Sequence, residues 1–228
     1  MRIVLLGPPG AGKGTQARRL VDRFGLALIA TGEIFRRNVS EGTELGVRAK
    51  SYLDTGELVP DDVTIAMVMA AIDGVPDGFI LDGFPRNIAQ AESLESELAT
   101  RGRPLSAVLA FILDEEEAVK RIAGRRTCAN CQTPYNVFFN PPRNQGVCDV
   151  CGGPLVQRSD EDEATVRRRL EVYRNSTAPL LKFYSERGLL REVDAVGTED
   201  EVTERAVAAL ADVAGEASNQ GRSETSAR

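Results

Sequence analysis

A short apolar run, Ile3-Val4-Leu5-Leu6, leads directly into Gly7-Pro8-Pro9-Gly10-Ala11-Gly12-Lys13-Gly14-Thr15, and Gln16 to Phe24 then has helical spacing. No other feature constrains the chain as much. A buried strand that feeds a glycine-rich turn and a helix is the context of a phosphate-holding loop. Glycines let the backbone curl so that successive N–H groups converge on an anion. The helix N-terminus adds partial positive charge, and a lysine at position 13 reaches the outer phosphates of a bound nucleotide. One position departs from the common form of this loop. A Ser or Thr directly after the lysine ligates magnesium, whereas here Gly14 holds that place and Thr15 follows it. The loop therefore does not hold a metal as a GTPase does.

The rest of the composition narrows the chemistry. The chain has 228 residues, 27% of them charged and 42% hydrophobic, which suits a soluble globular protein with a sizeable core. A net charge of −6 argues against non-specific nucleic-acid binding. An acidic chain that binds polyanions must gather its arginines at the site. No apolar run reaches membrane-spanning length and no signal peptide precedes the first strand, so a cytoplasmic protein without a membrane partner is expected. Histidine is absent, which removes the usual near-neutral general base. Catalysis must rest on positioning and electrostatics, or on carboxylates.

Strand signals fall at Ile3–Leu6, Ala27–Ala30, Phe79–Asp82, Ala107–Leu113 and Leu189–Val193, with helical stretches between them. Near-continuous apolar strands that alternate with helices predict an α/β fold, a doubly wound five-stranded parallel sheet of the P-loop NTPase type. Ligands of such sheets sit at the strands' carboxyl ends. The phosphate loop, Thr31-Gly32 and Asp82-Gly83-Phe84-Pro85-Arg86 should therefore meet at one edge. Two segments interrupt the alternation. Residues 30–59 read as a small helical insertion, and residues 124–161 as a second inserted subdomain. The core is then discontinuous, 1–29, 60–123 and 162–212, with 213–228 a disordered tail. Ser159-Asp160-Glu161-Asp162 has capping-box spacing, and Glu161–Glu163 reads simply as the start of a helix with Val166, Leu170 and Tyr173 as its apolar stripe. Arg121 and Arg125, four apart, should share one face of the helix that begins after Asp114–Glu117. Arg18, Arg19, Arg167 and Arg168 read as solvated helix faces.

The four cysteines form two pairs, Cys128/Cys131 and Cys148/Cys151. Each pair can grip one metal, and together they close a tetrahedral thiolate site. All-sulfur tetrahedral coordination favours Zn2+, with a rubredoxin-like iron as the minor alternative. Four thiolates leave no open position, so the metal is a staple for a segment with little core of its own.

These features together resemble adenylate kinase, in the long bacterial form with a zinc-bearing lid. The resemblance rests on Gly7–Thr15, Thr31-Gly32 with Arg36, Asp82–Arg86, Gln90, Arg121 with Arg125-Arg126, Phe139-Asn140-Pro141-Pro142, the four cysteines, Arg158 and Arg169. It runs from residue 1 to about residue 210. It implies an enzyme, a phosphotransferase with a phosphate group as acceptor, that catalyses ATP + AMP ⇌ 2 ADP with Mg2+. It also implies a cytoplasmic monomer. Gly10, Ala11, Gly12, Lys13, Gly14 and Thr15 would hold the ATP phosphates. Arg121, Arg125, Pro134, Tyr135 and Gly197 would touch the rest of ATP. Arg36 and Arg86 would clamp the AMP phosphate, while Thr31, the backbone of Glu57, Leu58 and Val59, the Gly83-Phe84-Pro85 turn and Gln90 would hold its ribose and base. Lys13, Arg86, Arg125, Arg158 and Arg169 would act on the moving phosphoryl group, and Asp82 would orient Mg2+ through water. Glu33, Asn87, Ala89 and Asn136 depart from residues frequent in the family, and none removes a charged phosphate contact. A kinase using GTP or another nucleoside monophosphate is the nearest alternative. A zinc-ribbon nucleic-acid-binding protein with an NTPase is the alternative of another class.

Overall fold

The computed structural model describes residues 1–75, 78–158 and 161–214, with the side chain of Glu163 excepted. The tail expected from residue 213 thus lies, beyond Ala214, outside the described residues. The core sheet has the order β2 (Ala27–Ala30), β3 (Phe79–Asp82), β1 (Arg2–Leu6), β4 (Ala107–Ile112), β8 (Leu190–Asp194). All four pairings are parallel, with Val4 beside Leu81 and Val108. Every strand signal read from the sequence is a strand: the inner strands β1, β3 and β4 are largely apolar because both faces are buried, while the edge strand β8 carries Arg191, Glu192 and Asp194.

Alternation along β1 sends its side chains to two different cores. Val4 and Leu6 join Leu81 and Val108 against α4 (Asp61–Asp73), α5 (Ile88–Thr100) and α8 (Pro179–Ser185). Ile3 and Leu5 join Leu109, Phe111 and Val193 against α1 (Lys13–Phe24) and α9 (Glu199–Ala208). Layers of helix on both faces follow from this two-residue period. Among the described residues, no helix is long and apolar enough to cross a membrane.

Two excursions leave the carboxyl edge of the sheet. After β2 come α2 (Thr31–Glu41) and α3 (Glu44–Thr55), which share a small core of Phe35, Ala49 and Val59. After α6 (Glu115–Ala123) comes a three-stranded antiparallel sheet, β6 (Pro134–Asn136), β5 (Arg125–Cys128), β7 (Leu155–Val156). The chain returns through α7 (Glu163–Val172), whose Val166 and Leu170 pack on Ala118 and Ile122 of α6. A π-helical turn, Tyr173–Thr177, follows. The expected capping box starts at Ser159, outside the described residues; the helix itself is capped by Asp162, whose Oδ1 accepts from Thr165 N at 3.1 Å.

One expectation about α6 is corrected. The helix stops at Ala123 and Arg125 opens β5, so Arg121 and Arg125 do not share a helix face. Gly124 ends the helix one residue before the arginine, with its N–H bonded to Lys120 O at 3.2 Å.

Candidate functional site

The phosphate loop lies on the floor of a cavity of about 720 Å³ at the carboxyl edge of the sheet. Two of its glycines, Gly7 and Gly10, are required by both φ and space. Gly10 has φ +86°, and a Cβ there would stand 2.7 Å from Ala118 O. The N-cap of α1, Gly12, supplies no side-chain acceptor, and the first turn holds no acidic residue. The N–H groups and positive dipole end of the helix are thus left for an anion. Lys13 folds back over the loop and donates to Gly7 O at 2.8 Å and Pro8 O at 2.9 Å. Burial pushes its pKa down to about 8; Asp82 opposes the shift, and the charges of Arg86, Arg169 and Arg125 add to it.

Among the described residues, eight lysines and arginines line this cavity against six carboxylates, in a chain whose net charge is −6. The acidic protein has concentrated its cations at one place, as a polyanion site requires. Gly10 to Thr15, Asp82, Gly83, Pro85 and Arg86 form the floor. Arg36, Glu57 and Leu58 come from the first excursion, Arg121 from α6, Arg125, Pro134, Tyr135 and Arg158 from the second, and Arg169 from α7. Gly197 lines the far end, beyond β8. The close approach of α3's end to α7 depends on Gly56, at φ +75°, where a Cβ would meet Arg169 Cγ at 2.9 Å.

Four residues read as site residues are not on the cavity wall. Phe84 is fully buried in the core beneath its turn, and Val59 is buried in the cluster with Phe35. Thr31 is buried, and its hydroxyl donates to Gly83 O at 3.0 Å, which ties β2's end to β3's. Gln90 is 1% exposed. Its amide nitrogen donates to Asp61 Oδ1 at 2.7 Å and its oxygen accepts from Arg86 N at 2.8 Å. Asn87 caps α5 through Gln90 N at 2.8 Å and also donates to Asp61 at 3.0 Å.

Other side chains are more engaged than the sequence suggested. Glu161 is not merely a helix start: its side chain is wholly enclosed and pairs with Arg125. Arg18, Arg19 and Arg168 are not simply solvated. Arg18 pairs with Glu33 at 2.8 Å, Arg19 with Glu199 at 3.2 Å and Arg168 with Glu57 at 2.6 Å. Phe139 was given no role, yet it lines the cavity half-exposed, with the guanidinium of Arg121 5.5 Å from its ring centre. Its signal was an aromatic beside Asn140-Pro141-Pro142 in a loop, where packing alone does not call for one.

The cysteines lie apart from the cavity. Their four Sγ atoms fall within 4.8 Å of one another, with Cys128–Cys151 at 3.4 Å and Cys131–Cys148 at 3.6 Å. Zinc–sulfur bonds of about 2.3 Å in a tetrahedron separate the sulfurs by roughly 3.8 Å, so the cluster fits a closed zinc site. Tyr135 joins this site to the cavity. Its hydroxyl accepts from Asp149 N at 2.7 Å and stands 3.4 Å from Cys148 Sγ. That contact lowers the pKa of the Cys148 thiol, the direction that favours a thiolate ligand, while the neighbouring sulfurs raise that of Cys151.

A family model described as Adenylate kinase matches residues 5–189. The chain is 54% identical over 212 residues to an adenylate kinase of Acidothermus cellulolyticus, covering 92% of this chain and 98% of that protein. It is 55% identical over 216 residues to one of Streptomyces coelicolor, with the same coverage, and 49% identical over 212 residues to one of Clostridioides difficile, again with the same coverage.

Proposed function

The chain belongs to the adenylate kinase family, phosphotransferases that run ATP + AMP ⇌ 2 ADP with magnesium, and we propose how the walls of its cavity divide that work. Gly10 to Thr15 cradle the ATP phosphates, and Lys13 neutralises charge as the terminal group moves. Arg36 and Arg86 clamp the AMP phosphate. Thr31, Glu57 to Val59, Gly83 to Pro85 and Gln90 frame AMP's ribose and base; Thr31 and Gln90 do so by fixing the β2 and β3 turns from beneath. Arg125, Arg158 and Arg169 close on the transferred group. Arg121, Pro134, Tyr135 and Gly197 hold the remainder of ATP, and Phe139 adds a ring face on which a purine stacks. Residues 30–59 fold over AMP and 124–161 over ATP, as covers on a core of 1–29, 60–123 and 162–212.

One observation carries this division: arginines from three separate elements, Arg86 after β3, Arg125 on β5 and Arg169 on α7, all act on the Lys13 ammonium. Two nucleotides bring more phosphate charge into one cleft than a single bound nucleotide does, and cations from several elements answer that charge. Phosphoryl transfer between them uses the same cations, because its loose transition state is stabilised by alignment and positive charge more than by covalent help. Bidentate, permanently charged guanidinium groups suit that task.

Asp82 fits a magnesium site. Its Oδ2 would stand 3.5 Å from a Cβ at Gly14, so the missing side chain leaves room between carboxylate and phosphates. Magnesium takes one or two carboxylates, phosphate oxygens and waters, and when bound it offsets phosphate charge. Zinc in the four-cysteine site is structural. The enzyme works as a cytoplasmic monomer without nucleic-acid or membrane partners, in keeping with its acidic net charge.

An assay of ADP formation with each nucleoside monophosphate, with and without magnesium, tests the reaction. Arg86→Ala should weaken AMP binding and lower turnover with the fold intact. Full AMP-dependent ADP production by that variant would show the acceptor site to be misplaced.

A further inference from the structure

At the far end of the cavity, beyond β8, four interactions converge on Glu199. Its Oε1 accepts from Asn140 Nδ2 at 3.2 Å, and its Oε2 from Arg19 Nη2 at 3.2 Å. Its main-chain oxygen accepts from Gln16 Nε2 at 3.0 Å and lies 2.7 Å from Thr203 Oγ1. Gln16 and Arg19 belong to α1, so the residue that opens α9 is seated on the helix that begins at the phosphate loop. Gln16 is 2% exposed, and its side-chain oxygen lies 2.8 Å from Thr203 Oγ1, so this seat is fixed by buried polar groups. Asn140, in contrast, belongs to the second excursion. Its backbone N–H and C=O both pair with Asn136 at 3.0 Å, and Phe139 precedes it.

Asn140 and Glu199 stand on two different walls of the cavity, together with Phe139 and Gly197. The bond between them therefore joins the cover to the core beside the aromatic ring. A carboxylate acceptor makes a stronger hydrogen bond than a neutral group would. We propose that Glu199 is a positioning residue of the ATP-base pocket: seated by Arg19 and Gln16, it pins Asn140 and so holds Phe139 and its hairpin over the base. This rests on the reading of that end of the cavity as the ATP-base site. Glu199 touches no reacting atom; it acts through Asn140. Its side chain is 40% exposed and that of Arg19 is 37% exposed, so solvent screening keeps the expected effect to several-fold.

The test is steady-state kinetics on full-length, zinc-loaded enzyme. Asn140→Ala and Glu199→Ala should each raise the KM for ATP by about three- to tenfold, with kcat and the KM for AMP within about twofold. Because one bond is removed either way, the double variant should be no worse than the weaker-binding single. Asn140→Asp, which sets like charges together, should lose more than Asn140→Ala, and adding Glu199→Gln to it should restore most of the loss by exchanging donor and acceptor. An unchanged KM for ATP in Glu199→Ala, or effects that multiply in the double variant, would overturn the proposal. Phe139→Ala separates the two readings. If it raises the KM for ATP and Glu199→Ala does not, the positioning role alone falls. If neither moves it, the pocket assignment falls as well.

Discussion

Arg125 Nε donates to Glu161 Oε1 at 2.5 Å, and the carboxylate is wholly enclosed while the arginine keeps 24% of its side chain exposed toward the cavity. Glu161 also reaches the Arg158 main-chain N–H at 3.4 Å. One buried acid thus contacts two of the residues assigned to the transferred phosphoryl group. Its replacement should affect both stability and turnover. Glu161→Ala leaves a part-buried guanidinium without its counter-charge, which should cost about 2 kcal/mol after allowance for Arg125's exposure. We expect kcat to fall by roughly tenfold as Arg125 loses its fixed aim, while the KM for AMP stays near the parent value. Urea unfolding and steady-state kinetics check the two parts, and unaltered kcat would remove Glu161 from the aiming of Arg125.

Lys13 gives a pH dependence with a definite sign. Its ammonium titrates near pH 8 in the free enzyme, lowered mainly by burial. As pH rises through 8 the loop loses a positive charge that ATP needs, so kcat/KM for ATP should fall with an inflection near that value. Bound phosphates raise the lysine's pKa again, so kcat should hold to higher pH. Lys13→Arg, less active but permanently charged, should lose the inflection. Its persistence in that variant would assign it to another group.

The zinc site should govern the second excursion alone. Among the described residues, Cys128, Tyr135 and Cys148, with Cys131 and Leu155 against them, make up its apolar cluster. So small a core does not hold a fold without its metal. Chelation or Cys148→Ser should make residues 124–161 protease-sensitive while the sheet core keeps its own unfolding transition. Undiminished zinc stoichiometry in Cys148→Ser would contradict the four-thiolate site.

Tyr184 offers a prediction of the opposite direction. Its ring is fully buried in the core, and among the described residues its hydroxyl has no hydrogen-bond partner. Burial raises its pKa, so the phenol stays neutral. Tyr184→Phe removes an unsatisfied polar atom and leaves the packing of Phe183 against the ring. The variant should be as stable as the parent or more so, by up to about 1 kcal/mol. A loss above that in urea titration would mean that the hydroxyl has a partner after all.

The inner strands were legible because a parallel strand buried on both faces is largely apolar, whereas the edge strand β8 is mostly polar. The phosphate loop was legible for a different reason, since its glycines and lysine answer to one ligand geometry. Arg125 was misplaced because a four-residue spacing predicts a helix face only while the helix lasts, and Gly124 ends it. Gln90 was identified as a residue of consequence but not located: nothing in the sequence says that Asp61, 29 positions away, takes its amide. Glu161 and Glu199 were hidden by their neighbours, since an acid among acids at a helix start already has a local explanation. Pairings that close only when three elements meet leave no periodic trace.

The order of the core sheet has a consequence for how the chain is made. β1, the sheet's first strand in chain order, is the middle of the sheet and pairs with residues 79–82 on one side and 107–110 on the other. Until those have emerged, its two edges and both apolar faces lack partners. At about 5–20 residues per second the wait lasts about 5–20 s. The phosphate loop cannot take its shape in that interval, because Gly10 packs on Ala118, which comes later still. A nascent chain of this kind therefore acquires its nucleotide grip late and all at once, and the period before is the one in which it most needs shielding from other chains.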